Sequence, residues 1–320
     1  MGRQTYRNLR MVVALVAIAL LTSTVVQAND LERHIWDQYR GKILVLRGFY
    51  SGEKLRYDAS GALSGEGSVG DWTTDGFVQL DEIYSSGQNL KIKAKRLMVI
   101  SAGQTGFRFS EEKALLKHKK LKKAALVDIY APLGTESVTE AMVNAILSRI
   151  FISSEEQLVD FVPKFWEPCV EEGISGRNEA CRFSSEMIAV PGVSAPVHAT
   201  TSSEEQQTSV SPPTSSNTPE TNIAGLFKVG NGVKPPKVIF QPEPSFSESA
   251  RKAKYQGMTT MGLIVDKDGL PKNIHIVRPL GAGLDARAVQ AVETWKFQPA
   301  QKDGQPVAVA IAVEVEFHLY

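Results

Sequence analysis

One stretch that is nearly devoid of large apolar side chains divides this chain of 320 residues. It reads PGVSAPVHATTSSEEQQTSVSPPTSSNTPETN from Pro191 to Asn222. Such a segment buries too little surface to offset the entropy it would lose on ordering, so we expect a flexible linker over residues 191–224. The chain is long enough for a separate core on either side. We therefore predict two folded regions, residues 29–190 and 225–320.

The N-terminal segment has the pattern of an export signal. Arginines at positions 3, 7 and 10 precede an apolar run from Met11 to Leu21. Val26 and Ala28 then stand at the small-residue positions that a signal peptidase reads. We predict a cleaved signal peptide over residues 1–28. The alternative is that Met11 to Ala28 is retained as an inner-membrane anchor; both interpretations imply export.

Charge and cysteine content exclude several kinds of chemistry. The net charge of +1 gives no overall attraction to nucleic acid, which we do not expect as a partner. Cys169 and Cys181 are the two cysteines of an exported chain, and we predict that they form a disulfide. The five histidines are scattered, so we expect no metal site. We see no catalytic constellation and predict a protein that is not an enzyme and needs no cofactor.

The N-terminal region changes character along its length. We predict a short helix around Leu31 to Tyr39, followed by a β-rich half. Capping-box patterns then predict helices from Ala141 to Ile150 and from Leu158 to Val162. We predict an α+β domain. The predicted strands are Lys42 to Phe49, Gly76 to Ile83, Leu90 to Ile100 and Gly106 to Phe109.

The C-terminal region has a clearer pattern. A short helix from Ser247 to Gln256 is followed by two strands joined at the turn Asp266 to Gly269. Apolar residues from Leu284 to Trp295 then recur at helical spacing. The residues from Val307 to Phe317 alternate between apolar and other side chains, as in a strand buried on one face. The predicted order is α-β-β-α-β.

These elements, with their residues, resemble the TonB C-terminal domain family. The matching positions are Gly257, Val265-Asp266, Gly269, Leu284-Asp285, Trp295, Phe297, Pro299, Asp303-Gly304, Pro306, Val307 and Phe317. The resemblance covers residues 225–320 only. It implies a three-stranded antiparallel sheet whose exposed edge binds an extended peptide of an outer-membrane transporter by strand addition.

The resemblance also implies which residues meet the peptide. They are Phe246, which stands where the family has Tyr-Pro, and the last strand: Val307, Ala308, Val309, Ala310, Ile311, Ala312, Val313 and Glu314. The small side chains of Ala308, Ala310 and Ala312 leave room for a partner to approach. The alternative is a core strand whose edge is protected by Glu314 and Glu316.

We therefore predict an exported, periplasmic interaction protein. One alternative is a membrane-anchored energy transducer, although the apolar run from Met11 to Leu21 lacks the histidine of the family's membrane helix. Another places an enzymatic or ligand-binding function among the aromatic residues of the N-terminal region, such as Trp36, Trp72 and Trp166. The basic run from Lys113 to Lys123 is interpreted as a solvated face or loop.

Overall fold

The computed structural model describes residues 33–103, 106–111, 126–134, 138–153, 155–182 and 225–319. The predicted signal peptide, the linker and the basic run at positions 113–123 lie outside the described residues. Among the described residues, no helix is both long and apolar enough to cross a membrane. The same residues contain no group of three or more His, Cys, Asp or Glu side chains placed to hold a metal ion.

The N-terminal region is a sheet flanked by helices. Its helices are α1 (33–39), α2 (Trp72–Asp75), α3 (Glu140–Ile150), α4 (Glu155–Val159) and α5 (Glu167–Ile174). Its strands are β1 (Ile43–Leu46), β2 (Tyr50–Ser51), β3 (Lys54–Arg56), β4 (Ser68–Val69), β5 (Phe77–Ser86), β6 (Asn89–Ser101), β7 (Phe107–Glu111), β8 (Leu126–Pro132) and β9 (Phe151–Ile152). The main sheet has the order β3-β8-β6-β5-β1-β9, with β7 on β6. The predicted α+β class is confirmed.

Local chemistry explains where these elements begin and end. Gly87, at φ +62°, allows the tight turn between β5 and β6. Helix α3 is capped by Thr139, whose hydroxyl accepts the Met142 N–H at 3.2 Å. Ser137, the first residue of the capping-box pattern Ser137-Val-Thr-Glu140, lies outside the described residues.

The aromatic residues of this region serve mainly as core. Trp72 and Trp166 are fully buried and meet edge to face, with 5.0 Å between ring centroids. Such contacts stabilise a core beyond the area they bury. A ligand cavity formed by these two rings is therefore not supported.

The C-terminal region contains the predicted α-β-β-α-β unit. Its helices are α6 (Glu248–Ala253) and α7 (Leu284–Val292). Its strands are β10 (Leu226–Phe227), β11 (Val233–Lys234), β12 (Lys237–Phe240), β13 (Gly257–Val265), β14 (Pro271–Arg278), β15 (Lys296–Gln298), β16 (Ala300–Lys302) and β17 (Gln305–Phe317). The three-stranded antiparallel sheet β14-β13-β17 is confirmed, and β10, β11 and β16 extend it.

Short polar side chains define the turns of this unit. Ser247 caps α6 by accepting the Ala250 N–H at 3.1 Å. The Asp266 carboxylate accepts the N–H groups of Asp268 and Leu270, at 2.9 and 2.8 Å, and so closes the β13–β14 hairpin. Asp266, one of the positions that carried the resemblance, therefore builds a turn.

The two regions share one continuous hydrophobic core. Backbone hydrogen bonds cross the junction between β6 and the loop that precedes α7: Ala282 N–H donates to the Val99 carbonyl at 2.8 Å, and Ser101 N–H donates to the Leu280 carbonyl at 2.9 Å. The Ile276 N–H of β14 donates to the Phe165 carbonyl at 2.8 Å. The N-terminal region thus packs along β14.

The disulfide predicted between Cys169 and Cys181 is present, and it lies at this junction. Both sulfurs are buried, and the bond ties α5 to the short helical turn Glu179–Cys181. Between them, the Asn178 side chain donates to the Val277 carbonyl of β14 at 3.3 Å. The disulfide therefore braces the segment that packs on β14.

A buried polar chain also joins the regions. The Asp285 carboxylate accepts the N–H groups of Leu280 and Gly281, at 2.8 and 2.7 Å. Burial raises the pKa of Asp285 to about 6, although these hydrogen bonds and one from Thr259 oppose the shift. Across the junction, Gly283 N–H donates to the Thr73 hydroxyl oxygen at 2.8 Å.

Candidate functional site

The last strand, β17, has the alternation that the sequence predicted. Its buried side chains are Val307, Val309, Val313, Val315 and Phe317. Ala310, Ala312, Glu314 and Glu316 are exposed, whereas Ala308 and Ile311 are half-buried. One face of the strand therefore belongs to the core and the other is open to solvent.

One edge of β17 is fully used. It pairs with β13 in an unbroken antiparallel register from Val309, opposite Val265, to Phe317, opposite Gly257. The second edge is the one on which an added strand would bind.

The first part of β17 is already paired with this chain's own strands. Val307 lies opposite Ala300 of β16. Ala308 and Val309 lie opposite Leu226 and Phe227 of β10, which runs parallel to β17. Because Val309 also faces Val265 in β13, β10 must occupy the second edge.

The remainder of β17 is different. From Ala310 to Phe317, no strand of the described ranges pairs with the second edge. We call this edge the open edge. Of the residues predicted to meet a peptide, Ala310 to Glu314 lie on the open edge, whereas Ala308 and Val309 lie where β10 already pairs.

A groove of about 660 Å³ runs beside the C-terminal half of the open edge. Residues 241–244 line it together with β17, and its apolar lining includes Phe246, Trp295 and Phe317. The rings of Phe246 and Phe317 meet edge to face, with centroids 5.4 Å apart. The structure therefore places Phe246 in the lining of this groove, next to Phe317.

The ionisable side chains of the groove are three carboxylates and the imidazole of His318. Glu314 and Glu316 line it from β17, and Glu243 lines it from the segment that precedes α6. Each of the three carboxylates belongs to an exposed residue, and none forms an ion pair with another described residue. The groove thus presents three carboxylates next to unpaired backbone.

Trp295 adds a polar group that sequence reasoning missed. It lines the groove while remaining only 3% exposed, and its indole Nε1 has no hydrogen-bond partner within the described part of the chain. A buried donor without a partner is costly unless a ligand or water supplies an acceptor. Sequence analysis placed Trp295 at the end of the helical pattern and among the positions that match the family, but not among the residues that meet a peptide.

The family comparison agrees with this architecture. Residues 242–319 match the model of the Gram-negative bacterial TonB protein C-terminal family. The chain is also similar to the Protein TonB of Vibrio cholerae serotype O1, with 32% identity over 87 residues. That match covers 27% of this chain and 36% of the Vibrio protein.

Among solved structures, the chain is similar to the C-terminal domain of Pseudomonas aeruginosa TonB in solution. The identity is 17% and the TM-score is 0.23, with 29% of this chain and 94% of that one covered. On the family match and the observed α-β-β-α-β unit, residues 242–319 of this chain are a TonB C-terminal domain.

Proposed function

We propose that this protein is an exported, non-enzymatic interaction protein of the cell envelope that binds an extended peptide by strand addition. The guest segment would pair with the open edge of β17, from Ala310 to Phe317. The observation that carries the proposal is the absence of any pairing strand on that edge within the described residues. The proposed partner is a peptide segment of an outer-membrane transporter.

The physical basis is the hydrogen-bonding capacity of an unpaired strand. In a β-strand, the N–H and C=O groups of alternate residues point to opposite edges, so about half of the residues on the open edge direct theirs outward. Each hydrogen bond that replaces one to water contributes roughly 0.5–1.5 kcal/mol. Several such bonds bind a guest with little dependence on its sequence.

The surroundings of the open edge also support a guest strand. The small side chains of Ala310 and Ala312 are exposed and do not obstruct an approaching chain. The groove beyond them is lined by Phe246 and Phe317, which would receive apolar side chains of the guest. An outer-membrane partner follows from the similarity to TonB and not from the groove itself.

The cellular compartment of the mature protein is a separate part of the proposal. We propose cleavage after Ala28 and a periplasmic mature protein; retention of Met11 to Ala28 would instead make it a membrane-anchored transducer. N-terminal sequencing of the exported protein distinguishes the two. Strand addition at the open edge is the same in either case.

Cross-linking in living cells tests the strand-addition site. Ala312 is replaced by p-benzoylphenylalanine, and a matched variant carries the same residue at Glu171, an exposed position on α5. After irradiation, mass spectrometry should identify an outer-membrane transporter among the adducts of the Ala312 variant only. Equal adduct patterns at the two positions would contradict the proposal.

A further inference from the structure

We infer that the open edge selects a guest strand in which basic and apolar side chains alternate. Lysine or arginine would lie opposite Glu314 and Glu316, and apolar side chains would lie opposite Val313 and Val315. This inference rests on the proposed function, and it assigns the partner a chemistry that strand addition alone does not require.

The charges are arranged for cross-strand pairing. Glu314 and Glu316 are two residues apart, so their side chains project from the same, solvent-exposed face of β17. The side chain directly opposite on an added antiparallel strand has its Cβ about 4.5–5.5 Å away, and long side chains also reach the diagonal neighbour. Two basic residues at alternate guest positions would therefore meet two carboxylates.

Glu243 adds to the same preference. It lies between Pro242 and Pro244 and lines the same groove as Glu314 and Glu316. A cation on the guest would be attracted to these carboxylates, and an acidic side chain would be repelled by them.

The preference for apolar side chains at alternate guest positions is inferred from the buried face of β17. Val313, Val315 and Phe317 point toward the core, and Phe246 and Trp295 line the groove on that side. Guest side chains at the intervening positions would be removed from water there, which favours apolar groups.

The same charges discriminate against a second copy of this chain. Two open edges that paired antiparallel would bring Glu314 and Glu316 of each copy close to those of the other. Like charges on directly opposed strands are destabilising, and charged edges are a common defence against self-association. The acidic pair therefore excludes self-pairing while it admits a basic guest.

The length of the guest strand and its position along β17 are also limited. Strand β10 occupies the second edge of β17 at Ala308 and Val309, so a guest strand begins or ends beside Ala310. At its other limit, β17 ends at Phe317. The guest strand is therefore a short segment in a single position along β17.

Synthetic octapeptides test the inference on the secreted chain, residues 29–320. Three fluorescein-labelled peptides alternate valine with lysine, with glutamine or with glutamate, and fluorescence anisotropy gives each Kd at low salt. We expect affinity in the order lysine, glutamine, glutamate. The variant Glu314→Gln/Glu316→Gln should weaken lysine-peptide binding by roughly five-fold and leave glutamine-peptide binding unchanged.

Controls separate this inference from the proposed function. The variant Glu171→Gln/Glu172→Gln removes the same charge from exposed positions of α5 and should bind like the parent. Two sets of peptides carry N-methyl groups on alternate residues, on either the odd-numbered or the even-numbered ones. Each set blocks the backbone N–H groups along one edge of the peptide only, so one set should lose binding and the other should keep it.

Each outcome has a distinct meaning. If the lysine and glutamine peptides bind equally well and remain sensitive to N-methylation, the basic preference is refuted while strand addition stands. If the lysine peptide binds regardless of N-methylation, the attraction is general charge adhesion, and both proposals fail. Binding of none of the peptides, or self-association of the parent through the open edge, overturns the inference.

Discussion

Gly281 lies where the loop before α7 packs directly on the backbone of β6, and its replacement by alanine should separate the two folded regions. Its φ of +86° belongs to the left-handed region, which disfavours side chains. A Cβ atom there would lie 2.2 Å from the Val99 carbonyl oxygen and 2.9 Å from the Ile100 Cα. Both contacts are with backbone, so no side-chain rotation relieves them.

The expected cost has two parts. The left-handed conformation costs a residue with a Cβ roughly 1–2 kcal/mol. Moving the loop away from β6 would also break the Ala282–Val99 and Ser101–Leu280 hydrogen bonds, each worth about 0.5–1.5 kcal/mol. Gly281→Ala should therefore lower the free energy of unfolding by about 2–5 kcal/mol.

Gly304 provides the matched control. Its φ is +77°, but a Cβ there would meet no atom within 4 Å. Gly304→Ala should therefore cost only the conformational part, roughly 1–2 kcal/mol. The difference between the two variants isolates the contact across the junction.

Urea denaturation of residues 29–320, followed by tryptophan fluorescence, measures both variants. Trp72 and Trp166 belong to the shared core, and Trp295 lies in the C-terminal region. If the parent unfolds in one transition and Gly281→Ala in two, the junction couples the regions. Equal costs for Gly281→Ala and Gly304→Ala would refute the close packing of Gly281 against β6.

Three further changes probe the same architecture. Burial raises the pKa of Asp285 above its value in the unfolded chain, so the contribution of this carboxyl to the free energy of unfolding falls by roughly 3 kcal/mol as the pH rises from about 4 through 6. Asp285→Asn should remove this pH dependence of stability, as measured by urea titrations at pH 4.5 and 7. Ser247→Ala removes the cap of α6 and a 2.6 Å hydrogen bond to the Ala282 carbonyl, and calorimetry should show a loss of about 1–3 kcal/mol. Replacing Cys169 and Cys181 by serine opens a short loop and should cost roughly 3 kcal/mol, with the parent under reducing conditions behaving likewise.

The sequence predicts the C-terminal unit well because its signals are local. The alternation from Val307 to Phe317 sets the face of β17, and Asp266 and Gly269 set a hairpin within four residues of each other. A cap such as Ser247 acts on the next turn of the same helix. Each of these features can be recognised without knowing what lies elsewhere in the chain.

The features that the sequence did not reveal depend on distant partners. Strand β10 has two residues and no periodicity, and it is fixed by pairing with β17 about eighty positions later. The loop from Leu280 to Gly283 is buried only because β6 and α2 of the other region pack on it. Nothing in the local pattern distinguishes such a loop from an exposed one.

The junction between the two regions affects the proposed function because it involves an edge of the sheet that would bind the guest strand. The β14-β13-β17 sheet has an outer edge at either side, and unpaired edges invite association with other chains. At β14, the Phe165 carbonyl and the Asn178 side chain already bond to the backbone. At β17, strand β10 occupies the beginning of the other edge. The stretch of β17 from Ala310 to Phe317 has no such partners within the described residues, and it is also the stretch that carries Glu314 and Glu316 and borders the groove. The N-terminal region therefore covers part of the β14 edge and leaves the open edge of β17 accessible, and Gly281, which packs against Val99 and Ile100 of β6, helps to hold that arrangement.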